Sequence, residues 1–140
     1  MSGDDRKLDG AARAAEIRDD VAAQVAELAR QGVVPRLDAI LVGDDPASEV
    51  YVASKARTLA TLGMLSETHR LPADTPQTAL EDLVDRLNAD PAVDGILVQL
   101  PLPGDLNTAA ILQRVDPAKD VDGFHPENVG LLQQGRPRLV

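Results

Sequence analysis

A chain of 140 residues is long enough for one compact domain with its own core and too short for two ordinary ones. Its formal net charge of -9 argues against nucleic acid or an anionic membrane as the main partner. No apolar run approaches the about 18 residues of a membrane span, nothing resembles a secretory signal, and the absence of cysteine excludes disulfides, thiol catalysis and zinc–thiolate centres.

Residues 1–7 are polar and read as a frayed end. From Gly10 to Gln31, Ile17, Val21, Val25 and Leu28 recur at helical spacing; Gly32 stops that helix and Pro35 prevents its return. Arg36 to Val42 reads as a strand, and the unbroken run Ala39-Ile40-Leu41-Val42 fits a parallel strand covered on both faces. Gly43-Asp44-Asp45-Pro46 then closes the strand and opens a helix to about Leu62, with Asp45 as cap and Pro46 in its first turn. On that helix Val52, Ala56 and Leu59 form an apolar stripe, while Tyr51, Lys55, Thr58 and Leu62 share another face.

A second strand is expected over 65–71, followed by a helix from Thr75-Pro76 that carries Leu80, Leu83, Val84 and Leu87. Gly95 to Gln99 is a short apolar strand, after which Pro101 and Pro103 hold the chain extended. A short helix over 107–115, a loop over 119–126, another helix over 127–133 and a fourth strand over 138–140 complete the reading. Strands alternating with helices predict an α/β fold: one domain over 1–140, three layers α/β/α, with a small, mostly parallel sheet of about four strands. A soluble cytosolic protein is the default expectation.

The chemistry-bearing residues fall at the ends of these elements, where an α/β protein keeps its functional groups. Taken alone, Lys55 reads as a solvated helix charge. It shares a face, however, with Tyr51, the single tyrosine of the chain. A lysine becomes a proton-transfer group when burial or a neighbouring cation favours the neutral amine. A neutral amide such as Gln99 can hold the nitrogen without adding negative charge. Gln99 ends an apolar strand where a hydrophobic residue would fit the pattern, although capping of backbone groups explains it equally well. Asp122 lies in a glycine-containing loop, either as a turn former or as a carboxylate accepting two parallel hydrogen bonds from an amidine-like edge. Asp120 competes for that role but reads more naturally as a cap or loop partner. His69 and His125 have no local partner at metal-ligand spacing, and no metal site is expected. The Tyr-x-x-x-Lys spacing also occurs in short-chain dehydrogenases, but no G-x-G-x-x-G follows the first strand, and two carboxylates stand where a pyrophosphate would bind.

Together, the segments 40–48, Tyr51-Val52-Ala53-Ser54-Lys55, Val98-Gln99-Leu100-Pro101-Leu102-Pro103 and Lys119-Asp120-Val121-Asp122-Gly123 resemble the amino-terminal domain of bifunctional methylenetetrahydrofolate dehydrogenase/methenyltetrahydrofolate cyclohydrolase. The resemblance runs from about Leu8 to the end. It implies a folate site in a cleft between two domains. Lys55 would be the main catalytic residue, with Gln99 and Tyr51 as its catalytic partners: Gln99 would orient and tune it, and Tyr51 would stack on the folate rings and help fix the lysine. Asp122 would bind the pterin edge, and the Val98-Gln99-Leu100-Pro101 backbone would line the pocket.

The family oxidises 5,10-methylenetetrahydrofolate to the methenyl form with NADP and hydrolyses it to 10-formyltetrahydrofolate, a one-carbon donor used in purine biosynthesis. Its NADP-binding Rossmann domain is absent from these 140 residues, so the expectation is a fragment or a stand-alone lobe with half of the cleft. That lobe is expected to lack dehydrogenase activity and to belong to a homodimer when full length. A folate-binding or assembly module without turnover, and an unrelated α/β interaction domain, are the competing expectations.

Overall fold

The computed structural model describes residues 9–138. Helix α1 (Gly10–Arg30), strand β1 (Arg36–Val42), helix α2 (Pro46–Thr61), strand β2 (Leu65–Leu71), helix α3 (Gln77–Ala89), strand β3 (Gly95–Val98), helix α4 (Thr108–Arg114) and helix α5 (Pro126–Gln133) follow in that order. The strands form one parallel sheet in the order β2-β1-β3, with Ile40 beside His69 on one flank and Val98 on the other.

Local chemistry sets the ends of α1 and α2. Asp45 caps α2 by accepting from the Ala47 N–H at 2.9 Å, with Pro46 opening the first turn. Gly32 and Gly63, at φ of +80° and +81°, terminate α1 and α2 in the left-handed conformation that L side chains rarely adopt.

Alternation along β1 sends its side chains to two different cores. Ile40 and Val42 join Leu80, Leu83, Val84 and Leu87 of α3 on one face; Ala39 and Leu41 join Val52 of α2 on the other. Fully burying a leucine-sized side chain contributes about 1.5–3 kcal/mol. The four buried residues of α3 therefore fix it far more firmly than the single buried Val25 fixes α1.

The expected α/β fold and its layers are found, but the described sheet has three strands rather than about four. Arg138 is not in a strand, and residues 139–140 of the expected fourth strand lie outside the described residues, as do residues 1–7. The free edge of β3 is met instead by one isolated parallel bridge, between Ile96 and Asp120. Three residues further on, Gly123 takes φ +69° in the turn that leads to α5. No helix among the described residues is long and apolar enough to cross a membrane.

Candidate acid–base site

Lys55 lies in the middle of α2, on the side of the sheet that carries Leu37, Ala39 and Leu97. Gln99 is the first residue after β3, and its N–H donates to the Ile40 carbonyl at 2.9 Å, so the strand pairing holds it in place. Its side chain is fixed at both ends. Nε2 donates to the Leu100 carbonyl at 2.9 Å, which turns Oε1 toward Lys55 Nζ at 3.4 Å. The second contact is long for a hydrogen bond. The lysine is thus guided rather than locked, and its nitrogen keeps donors for another partner.

Tyr51 precedes Lys55 by four residues, about 6 Å along the helix axis and on the same face. Tyr51 is 62% exposed, unusual for a large aromatic, while the core itself is built from aliphatic side chains. Exposed Val50 stands beside it in sequence, and exposed Val121 and Phe124 occupy the 119–125 loop.

Asp122 is solvent-accessible, yet enough protein crowds its carboxyl to raise it above the ordinary value. Desolvation is the main cause; the positive charge of Lys55 opposes it and the negative charge of Asp120 adds to it. Lys55 therefore acts on Asp122 through space. Of the residues singled out in the sequence, Lys55, Gln99 and Asp122 come together, and Tyr51 projects one turn away. Val98 is buried toward the α3 core, so only its backbone is available to a ligand; Leu100 is half-buried and Pro101 exposed, joined by a cis peptide bond.

Lys55 borders an open hollow of about 240 Å³ with Leu37, Ser54, Thr58 and Leu59. Its apolar side chains suit the face of a flat ring, and a ligand larger than such a ring would project from it. A larger hollow of about 430 Å³ opens between α1 and α2, beside Arg18 and Thr61. Its hydroxyls, Thr58 and Thr61, already donate to the Ser54 and Arg57 carbonyls, so size alone does not mark the chemistry.

Sequence reasoning missed a second polar cluster on the opposite face of β1. Asp38 is fully buried. It accepts from Arg36 Nε at 2.7 Å and Nη2 at 2.9 Å and pairs with His69 Nε2 at 2.7 Å, while Arg36 also reaches Glu67 at 2.7 Å. Burial by itself pushes the Asp38 carboxyl up; the bonds from Arg36 and His69 outweigh it and hold the group below its ordinary value. Asp38, Glu67 and His69 carry ligand atoms within 4.8 Å of one another, but the Arg36 guanidinium already supplies the positive charge that a metal would bring. The signal was available in the sequence as a charged residue, Asp38, at the entrance of an apolar strand.

Comparison with known proteins gives this geometry its context. The family model described as tetrahydrofolate dehydrogenase/cyclohydrolase, catalytic domain, matches residues 8–122. The chain belongs to that family. It is 54% identical over 135 residues to the bifunctional protein FolD of Afipia carboxidovorans, covering 96% of this chain and 46% of that protein. Among solved structures, the bifunctional enzyme FolD from Campylobacter jejuni is 43% identical, with a TM-score of 0.89 over 91% of this chain and 45% of the other. The FolD of Trypanosoma brucei, solved with NADP cofactor and an inhibitor, is 39% identical, with a TM-score of 0.85 over 89% of this chain and 43% of the other. The chain spans about half the length of the curated relatives it matches. The family match takes in Tyr51, Lys55, Gln99 and Asp122, the last at its very end.

Proposed function

We propose that this chain is the folate-binding and catalytic lobe of a cytoplasmic, homodimeric methylenetetrahydrofolate dehydrogenase/methenyltetrahydrofolate cyclohydrolase of one-carbon metabolism. The observation that carries the reading is the approach of Gln99 and Asp122, from two other segments, to Lys55, which itself borders a ring-sized hollow. In this reading Asp122 accepts paired hydrogen bonds from the pterin edge, Tyr51 covers the ring system, and the backbone at Val98, Gln99, Leu100 and Pro101 borders the bound folate.

In the hydrolysis, water adds to the carbon that bridges N5 and N10 of 5,10-methenyltetrahydrofolate. The Lys55 amine takes a proton from the attacking water. Gln99 Oε1 keeps the nitrogen aimed during the transfer. Breaking the carbon–N5 bond then leaves the formyl group on N10; one water proton ends on N5 and the other is released to solvent.

NADP, which the relatives' chemistry implies, does not fit the residues described here. The turn after β1 places Asp44 and Asp45 at the N-terminus of α2, and Asp45 already accepts the Ala47 N–H that an anionic pyrophosphate would need. No hydride-transfer step is assigned to these residues, and the 140-residue chain is expected to lack dehydrogenase activity by itself.

The test is the loss of methenyltetrahydrofolate absorbance with purified protein, with Lys55→Met beside it. A loss of about 10²–10⁴-fold in catalysed rate is expected for the variant. A Lys55→Met protein as fast as the parent would remove Lys55 from the mechanism. A second reading, folate binding without turnover, is favoured by the openness of the hollow. Tight binding by calorimetry with hydrolysis at the uncatalysed rate would select it.

A further inference from the structure

We propose that Asp120 is a positioning residue: with Asn128 of α5 as its anchor, it fixes the loop that presents Asp122 to the site. The inference rests on the folate reading for its functional consequence, and on geometry alone for the positioning itself.

The loop is docked on the sheet from its start. The Lys119 carbonyl accepts from the Ile96 N–H at 2.7 Å, and Lys119 Nζ donates to the Leu87 and Asp90 carbonyls at 3.0 and 2.8 Å. Asp120 forms the bridge to Ile96. Gly95 makes the close approach possible. A Cβ there would stand 2.6 Å from Val121 Cγ1 and 3.0 Å from Leu37 Cδ1, so any side chain would force both of these to shift.

Beyond that point the Asp120 carboxylate becomes the hub of the turn. It is buried, and Oδ2 accepts from the His125 N–H at 2.8 Å and Asn128 Nδ2 at 2.9 Å. Burial by itself pushes this carboxyl up, but the bond from Asn128 and those from the backbone N–H groups of His125, Phe124 and Gly123 outweigh it and hold the group below its ordinary value. An ionised carboxylate accepts only, which matches a ring of donors; an amide in its place would turn a donor toward some of them. Asn128 is used in the complementary sense. Its Nδ2 also donates to the Pro117 carbonyl at 2.9 Å, whereas its buried Oδ1 has no partner. The contacts made by its amide nitrogen tie Pro117 and Asp120, at the start of the loop, to the helix that follows it. Asp122 follows two residues after the hub, near enough for the charge of Lys55 to act on its carboxyl.

The charged groups acting on Asp122 are Lys55 from α2 and Asp120 from its own loop. Neutralising Asp120 therefore has an electrical effect that a purely structural role would not produce. The experiment is an NMR titration of the Asp122 carboxyl in the ligand-free chain, with amide exchange at 121–124 and tetrahydrofolate affinity measured alongside, for wild type, Asp120→Asn and Asn128→Ala.

In Asp120→Asn the Asp122 midpoint is expected to move to lower pH, loop exchange to accelerate, and folate Kd to rise about 10- to 100-fold. In Asn128→Ala the exchange and Kd are expected to change in the same sense while the Asp122 midpoint stays closer to wild type. An unchanged Asp122 midpoint and unchanged loop exchange in a folded Asp120→Asn protein would overturn the proposal. If Asp120→Asn does not fold, unchanged exchange in Asn128→Ala overturns it instead. A wild-type chain that fails to bind tetrahydrofolate would refute the folate reading, with the positioning role still decided by titration and exchange.

Discussion

The two faces of β1 carry polar groups arranged to opposite ends. On the α3 face, Asp38 is fully buried and both its oxygens are engaged, by Arg36 and His69 at 2.7–2.9 Å. On the α2 face, Lys55 is exposed, its contact with Gln99 stretches to 3.4 Å, and Asp122 feels it only through space. A closed network has satisfied its valences and can only hold the sheet together. An open one keeps donors and acceptors free for something that is not part of the chain. In the reading we propose, the difference separates a structural charge cluster from a chemical one, although the first has the more metal-like composition.

That contrast can be broken in several ways. We predict the largest effect on stability from Asp38→Ala, which strands a guanidinium and an imidazole on a covered face. Because Arg36 and His69 side chains retain 25% and 20% exposure, the loss should fall toward the lower end of about 3–5 kcal/mol, read by chemical denaturation. A variant as stable as the parent would mean that the network is not closed in solution. Next comes Gly95→Ala, expected to cost about 1–3 kcal/mol through the collision with Val121 and also to weaken folate binding. If stability falls while affinity does not, the Asp122 loop is not part of the site. Gln99→Leu, by contrast, should cost only about 1 kcal/mol of stability, since it removes one long hydrogen bond to Lys55 and one to the adjacent Leu100 carbonyl, while slowing cyclohydrolysis. Parental turnover in this variant would separate Gln99 from the function of Lys55.

The smallest effects are in pH dependence, and their signs are opposite. Asp38 is held below 3.8, so its contribution to stability is present above that value and lost as pH falls through the lower folded one. Asp122 is raised above 3.8; its contribution is present in acid and lost as pH rises from 3.8 through the folded value. Acid unfolding curves of Asp38→Asn and Asp122→Asn should therefore depart from the parent in opposite senses, and departures in the same sense would contradict the assignment.

Much of this molecule was legible in local sequence. The spacing of Leu80, Leu83, Val84 and Leu87 located α3 and its buried face, and the four-residue step from Tyr51 to Lys55 placed both on one side of α2. Asp45, Gly32 and Gly63 marked helix ends because capping and left-handed turns are decided within a few residues. What stayed hidden depends on contacts between distant segments. The β2 partners of this cluster, His69 for Asp38 and Glu67 for Arg36, appear only once β1 and β2 pair, and the close approach of Val121 beside Asp120 uses a glycine at position 95. A fourth strand was expected from a short terminal run, but strand formation depends on a neighbouring edge that such a run does not specify.

The most direct test of the central claim is a map of backbone amide shifts on adding tetrahydrofolate to the isotope-labelled chain. The account predicts perturbations centred on Tyr51, Lys55, Gln99, Leu100 and Asp122, with Arg36, Asp38, Glu67 and His69 unmoved. Shifts concentrated on the Asp38 face, or spread without focus over both, would contradict it.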